Sequence, residues 1–205
     1  LNHGADMSAK TTNGGTALRQ ALANGHITTI EVLLKHGVNV HEKDHNGYSL
    51  IYIASRDGHL GLLKQLLAMG ANVDEKAVTS ECFTPLMIAA ERGHNAIVEL
   101  LLNHGAYIEA MAGIFKCDTA LHLACGTGHH VTAELLLSHG ANINAMGRSG
   151  ESALFKAARG GYLSVVELLL IRGAALESRT TDEVTPLMIA AEKGHAAIVE
   201  LLLLN

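Results

Sequence analysis

Histidine is the residue type in this sequence best suited to chemistry, because imidazole binds transition metals and exchanges protons near neutral pH. The 205 residues include thirteen histidines, and nine of them recur at two fixed positions of an internal repeat. The first set precedes an apolar segment and consists of His26, His59, His94, His129 and His195. The second set precedes the glycine that ends this segment and consists of His3, His36, His104 and His139. We interpret both sets as side chains that hydrogen-bond to the backbone at helix ends.

Four histidines fall outside these two sets, namely His41, His45, His122 and His130. None of them has a cysteine or a carboxylate at the spacing of a metal-ligand set. The sequence therefore predicts no metal site and no cofactor.

The three cysteines are predicted to be free thiols. Cys82 and Cys117 fall at equivalent positions of adjacent repeats. Stacked helical layers lie about 8–10 Å apart, whereas the Cα atoms of a disulfide lie within about 7 Å. Cys125 replaces an alanine in a packed helix. Unpaired cysteines indicate a reducing intracellular compartment, so we predict the cytoplasm and keep the nucleus open.

Catalytic motifs are not found in the sequence. Residues 125–129 look superficially like a glycine-rich loop or a Cys/His pair, but the repeat assigns Gly128 to a helix end and His129 to the structural set. No nucleophile elbow, zinc-hydrolase motif or phosphate-binding loop occurs. Carboxylates such as Asp57 and Glu91 occur singly in each repeat, without a second acid for acid–base catalysis. We predict that the chain is not an enzyme.

The composition of the chain argues against disorder and against nucleic acids and anionic membranes as binding partners. Hydrophobic residues make up 48% and charged residues 17%, compared with about 25% charged residues in an ordinary soluble domain, which argues against disorder. The net charge is −5, aromatic residues make up 3%, and the basic residues form no run. Nucleic acid and anionic membranes are therefore unfavoured partners. No apolar stretch approaches the roughly 18 residues of a membrane span.

The positions of these residues are set by an internal repeat. Residues 84–94 recur as residues 185–195 with a single difference, Lys193 in place of Arg92. Weaker copies begin at residues 16, 49, 119 and 152. Successive starts are 33, 35, 35, 33 and 33 residues apart. Each start is Ser or Thr, the usual N-cap of a helix, and Pro85 and Pro186 lie just inside two of them. A glycine ends each of the two helices predicted per unit, and a polar, turn-rich loop follows.

A unit of about 33 residues with the pattern T-P-L-x-x-A-A and G-H-x-x-I-V-E-L-L-L resembles the ankyrin repeat. The resemblance covers essentially the whole chain. It implies an all-α solenoid of stacked helix–turn–helix units with finger hairpins, in which one helix layer and the fingers form a concave groove.

The predicted units follow from these starts. They are the tail and finger of a preceding truncated repeat (1–15), the repeats 16–48, 49–83, 84–118, 119–151 and 152–184, and a truncated repeat (185–205). The fingers of 49–83 and 84–118 are two residues longer than the others, and Cys82 and Cys117 stand there at the position of a turn glycine. Neither end carries the polar outer face of a terminal repeat, so we expect the chain to be a fragment of a longer protein.

The resemblance implies a non-enzymatic protein–protein interaction module, a scaffold or adaptor. It would act as a monomer and bind a partner protein or peptide in the groove. Carried over to this sequence, the groove positions include Tyr48, Arg56, Asp57, Glu81, Phe83, Glu91, Arg92, Phe115, Lys116, Asp118, Arg148 and Arg159.

Exposed aromatic residues and arginines are the enriched anchor types at interfaces. We therefore expect Tyr48, Phe83, Arg92 and Phe115 to be the exposed anchors, centred on the third and fourth repeats.

Two further expectations remain open. The chain could instead be the substrate-recruiting segment of a larger enzyme or secreted effector whose catalytic domain lies outside these residues. The resemblance also implies possible hydroxylation of Asn144, which matches the asparagine that such enzymes modify in ankyrin repeats.

Overall fold

The chain folds as a succession of short helix pairs. The computed structural model describes residues 4–12, 15–44, 46–78, 82–113 and 117–205. The first helices of the pairs are α1 (Ala17–Ala23), α3 (Leu50–Asp57), α5 (Pro85–Arg92), α7 (Ala120–Gly126), α9 (Ala153–Gly160) and α11 (Pro186–Glu192). The second helices are α2 (Ile27–Lys35), α4 (Leu60–Ala68), α6 (Asn95–Asn103), α8 (His130–Ser138), α10 (Leu163–Ile171) and α12 (Ala196–Leu204). The predicted all-α fold is confirmed.

The helix boundaries follow from capping residues. The hydroxyl groups of Thr16, Ser49, Thr84, Ser152 and Thr185 accept a hydrogen bond from the backbone N–H three residues later. These bonds satisfy donors that a helix start leaves without an intrahelical partner. Gly58, Gly93 and Gly161 end three of the first helices in the left-handed conformation.

The helices lie in two layers. The first helices α3, α5, α7, α9 and α11 pack in a row, and small side chains such as Ala89 and Ala124 are fully buried between them. The second helices form a parallel row with sparser contacts. The first helices approach one another more closely, and theirs is the side that the resemblance to ankyrin repeats implies to be concave.

The loops between repeats form fingers, each closed by one backbone hydrogen bond. In each bond the first residue donates its N–H to the carbonyl oxygen of the second, with N···O distances of 2.9–3.1 Å: Thr11 to Gly15, Asp44 to Tyr48, Ala77 to Phe83, Ala112 to Asp118, Gly147 to Glu151 and Thr180 to Val184. In the two long fingers the bond spans six residues instead of four. The base of each long finger is therefore closed by the same kind of hydrogen bond as in the shorter fingers.

In the five fingers where the structure describes it, the position two residues before the N-cap of the first helix has positive φ. Glycine occupies it at Gly47 and Gly150, with φ of 81° and 73°. Cys82 and Cys117, which replace the turn glycine in the sequence, adopt the same conformation with φ of 48° and 46°, and Glu183 does so at 62°. A side chain in this region is strained by roughly 1–2 kcal/mol.

One set of repeated histidines joins consecutive repeats. The Nε2 atoms of His94, His129 and His195 hydrogen-bond to the carbonyl oxygens of Arg56, Glu91 and Arg159, at 3.0, 3.0 and 3.2 Å. Each of these carbonyls lies in the last turn of the preceding repeat's first helix, where intrahelical partners run out. The predicted role of these residues at helix ends is confirmed.

The histidine rings also explain the glycines that end the first helices. A Cβ atom at Gly93 would lie 2.6 Å from Nδ1 of His129, and one at Gly161 would lie equally close to Cε1 of His195. Two constraints therefore require glycine at these positions: the backbone has positive φ, and the histidine ring occupies the space where a Cβ atom would lie.

The second set of histidines acts within its own helix. The Nδ1 atoms of His36, His104 and His139 hydrogen-bond to carbonyl oxygens four residues earlier, at 2.8–2.9 Å. These residues cap the C-terminal ends of α2, α6 and α8.

A column of side-chain acceptors joins the repeats on another side. Backbone N–H groups of Tyr107, Asn142 and Ala175 donate to the side chains of Asp74, Glu109 and Asn144 at 3.0, 2.7 and 2.9 Å. Each acceptor belongs to the preceding repeat, so consecutive units are held by directional bonds in addition to apolar packing. No helix of the described ranges has the length and apolar character needed to cross a bilayer.

We predict that His129→Ala lowers the free energy of unfolding by about 1 kcal/mol, the usual net value of a hydrogen bond. The substitution removes the bond to Glu91 and uncovers Gly93. Denaturant titration measures the change, with His41→Ala, in an exposed loop, as the control. Equal stability of the two variants would contradict the structural role of the repeated histidine.

Candidate binding groove

The groove lies where the fingers pack against the first helices. A second hydrophobic cluster, separate from the main core, joins the finger residues Ala77, Ala110 and Ala112 to Tyr52, Phe83, Met87 and Ile88. The finger alanines pack against side chains of α3 and α5. The fingers of the second and third repeats are therefore held against the first helices.

Phe83 belongs to this cluster and is only 2% exposed. The prediction that its ring is an exposed anchor is therefore wrong. Its backbone carbonyl closes the finger, and the ring turns inward among Met87, Ile88 and the finger alanines. Its loss would disrupt packing of the finger.

Tyr48 lies at the equivalent position of the preceding repeat and is half-buried. Its ring stacks on Tyr52 with 4.8 Å between ring centroids and 6° between planes, and the guanidinium of Arg56 lies 5.7 Å from its centroid. Arg56 also forms a two-point ion pair with Asp57 at 2.7 and 2.8 Å. The hydrogen bonds between them raise the pKa of Arg56 and lower the pKa of Asp57.

Charged residues replace this aromatic layer in the fourth and fifth repeats. Asp118 and Glu151 stand at the positions of Tyr48 and Phe83, and Lys156 stands where four other repeats have Ile or Leu. Lys156 is 8% exposed, and its ammonium lies 3.0 Å from Asp118 Oδ2 and 3.2 Å from Glu151 Oε2. Two carboxylates thus compensate one buried ammonium.

Asp118 was predicted to face a partner, but it is only 6% exposed. Besides Lys156, its carboxylate accepts from the backbone N–H of Arg148 at 3.3 Å. A side chain at Gly147 would collide with this carboxylate, so glycine is required there for close approach. Asp118 fixes the neighbouring finger and offers little surface to a partner, which corrects its assignment as an exposed contact.

The remaining predicted groove residues differ in exposure. Glu91 is half-buried, whereas Asp57, Arg92, Arg148 and Arg159 are exposed. Arg159 pairs with Glu151 and lies 5.8 Å from the ring centroid of Phe155. Three predicted residues, Glu81, Phe115 and Lys116, lie outside the described residues.

His122 is buried beside the charged cluster. Its Nδ1 accepts from the backbone N–H of Thr119 at 3.2 Å, and its Nε2 lies 3.0 Å from the carbonyl oxygen of Ala145 in the next finger. Burial lowers the pKa of His122, with Lys156 acting in the same direction and Asp118 against it. The neutral imidazole ties helix α7 to the finger that follows it.

These elements surround an open cavity of about 460 Å³. It is lined by Phe83, Glu91, Asp118, Leu123, Arg148, Ser149, Glu151, Lys156 and Arg159. Five of the predicted groove residues thus meet at one cavity. Leu123 and Lys156 were missed, although a lysine at a position where four other repeats have Ile or Leu could have drawn attention to Lys156.

The structure also locates the residues considered for other chemistry. Cys82, Cys117 and Cys125 are not joined in a disulfide, as predicted, and burial raises the pKa of Cys125 to about 12. Within the described ranges no three His, Cys, Asp or Glu side chains come together as a metal site. Asn144 is exposed, and its Oδ1 accepts from Ala175; its hydroxylation stays a prediction.

A family model described as ankyrin repeats (3 copies) matches residues 1–77, 38–112, 86–180 and 146–205, which together span the chain. No curated protein matches the chain significantly.

We predict that His122→Met weakens the pH dependence of stability. A histidine whose pKa is lowered by folding stays neutral in the folded protein at a pH where the unfolded chain binds a proton. The free energy of unfolding therefore decreases as the pH is lowered below about 6.5, the pKa of a histidine in an unfolded chain. Methionine at the equivalent Met87 accepts from Thr84 N–H at 3.4 Å, so the cap can survive. Denaturant titrations near pH 7 and pH 5 should show a smaller acid loss in the variant. An equal loss of stability between pH 7 and pH 5 in the variant and the wild type would contradict the conclusion that His122 is buried in its neutral form.

Proposed function

Since the chain belongs to the ankyrin-repeat family, whose repeats are generally protein–protein interaction modules, we propose that it binds a partner protein or peptide in the groove between its fingers and its first helices. The proposed role is that of a non-catalytic scaffold or adaptor. The binding centre is the cavity at the fourth repeat.

The observation that supports this placement is the convergence of Glu91, Arg148 and Arg159 on one cavity with the half-buried Leu123. Leu123 offers an apolar contact, while the charged side chains surround it. Binding sites commonly combine such an apolar contact with a few placed polar groups.

A gap in the repeat pattern lies beside the cavity. Four of the six first helices carry a long charged side chain at the position seven residues after the cap, namely Arg56, Glu91, Arg159 and Glu192. In the fourth repeat this position is Gly126, one turn after Leu123 on the same helix face. The missing side chain leaves room for a residue of the partner.

Filling this gap tests the proposal. In Gly126→Gln the new Cβ would make ordinary 3.7 Å contacts with Lys156. Replacing a helical glycine should also raise stability by up to about 1 kcal/mol. We expect peptides enriched from a random display library on the wild-type chain to bind the variant at least about ten-fold more weakly, a change of about 1.4 kcal/mol. Fluorescence polarisation with synthetic peptides measures it.

The matched control is Gly61→Gln. Gly61 lies exposed in α4, in the second-helix layer, and a Cβ there would make only an ordinary 3.9 Å contact with Glu31 Oε1. This variant should gain similar stability and keep full affinity. Equal affinity of wild type and Gly126→Gln, or a library from which no peptide is enriched, would contradict the proposal.

A further inference from the structure

The joint between the first and the second repeat differs from the later joints of the stack. The first helices α3, α5, α7, α9 and α11 pack closely in succession, and so, more sparsely, do the second helices from α4 to α12. Within the part of the chain that the structure describes, α1 and α2 make no comparably close approach to α3 and α4. The first helix pair is therefore less tightly docked than any later pair.

The end of α1 lacks the ring that covers the other first helices. His59 is equivalent in sequence to His94 and His129, but among the described residues its ring forms no hydrogen bond with a carbonyl of α1. No other part of the described chain comes within 4 Å of the position that a Cβ atom of Gly25 would occupy. A ring of the following repeat lies within that distance at Gly58, Gly93, Gly128 and Gly161.

The column of side-chain acceptors also begins only after this joint. His41 stands at the sequence position of Asp74 and Glu109, which accept from a backbone N–H of the next repeat. The described ranges show no such bond between His41 and the N–H of Asn72. Both kinds of directional bond that join later repeats are thus missing between the first repeat and the second.

A bulky residue explains the looser packing. Leu22 lies six residues after the N-cap of α1, and it is 7% exposed in the same apolar cluster as Leu50 and Ile51 of α3. The distance between packed helices depends on the side chains at their contact, so a leucine here keeps α1 away from α3. The other five repeats carry a small residue at this position: Ser55, Ala90, Cys125, Ala158 and Ala191.

The opposite end of the stack shows that a terminal position alone does not loosen a joint. Helix α11 packs closely on α9. The ring of His195 covers Gly161 and hydrogen-bonds to the carbonyl oxygen of Arg159 at 3.2 Å. The last helix pair is therefore docked in the same way as the pairs inside the stack.

We propose that the first joint is a hinge, on which α1 and α2 swing as one body against the second to sixth repeats. The two helices pack on each other, and the contacts that hold them to α3 are apolar and without a preferred direction. The finger that follows α2 stays with the second repeat, because Tyr48 stacks on Tyr52. Since α1 belongs to the first-helix layer, the swing widens and narrows the N-terminal end of the groove. The hinge does not depend on the proposed function.

Distances between two spin labels in the full chain test the hinge. Cys82→Gly, Cys117→Gly and Cys125→Ala first replace the native thiols by residues that other repeats carry at these positions. One label pair, Thr28→Cys with Ala96→Cys, then spans the first joint. The matched pair, Val131→Cys with Ala197→Cys, occupies equivalent exposed positions and spans as many repeats at the other end.

We expect the distance distribution of the first label pair to be at least about two-fold broader than that of the matched pair, as a hinge requires. Distributions of equal width would overturn the proposal.

A further substitution tests the role of Leu22. Leu22→Ala gives the first repeat the residue found at Ala90 and should narrow the distribution of the first label pair. The control is Leu34→Ala, which removes the same side chain from a buried position that is leucine in all six repeats, and it should produce no narrowing. A distribution that stays as broad in Leu22→Ala, or that narrows equally in Leu34→Ala, would overturn the assignment of Leu22 as the spacer.

Discussion

Each repeat of this chain is completed by its neighbour. The imidazole of His129 caps a carbonyl at the end of the preceding first helix, and its ring covers the glycine that ends that helix. A second column of side chains, including Asp74 and Glu109, holds the backbone of the following repeat from another side. Because these bonds are directional, they fix the register of the stack. The groove exists only because fingers and first helices from several repeats are held in that register.

Within this fixed stack, the character of the groove changes at one point. An aromatic and aliphatic layer around Phe83 holds the fingers of the second and third repeats. A buried ion cluster of Asp118, Lys156 and Glu151 takes its place in the following repeats. Such a cluster is costly to desolvate and stabilises only when its charges are compensated. It positions a finger whose exposed Arg148 borders the cavity, so the buried charges serve the site indirectly.

The periodic sequence predicted most of the fold because each repeat restates the same caps, glycines and apolar positions. The histidines at helix ends and the left-handed turns at Cys82 and Cys117 were predictable for this reason. The inward direction of the Phe83 ring could not be predicted in this way. The repeat determines the position of a residue along the finger, but it does not determine the direction in which its side chain points. Burial of Asp118 likewise depends on Lys156, a residue 38 positions later.

The central claim is that binding takes place on the first-helix side, at the fourth repeat. Amide hydrogen exchange of the chain, with and without a peptide enriched on it, tests this claim most directly. Binding in the groove predicts slower exchange at the ends of α5 and α7 and in residues 147–151, with α6 and α8 unchanged. Protection confined to the second helices, or to residues 196–204, would contradict it.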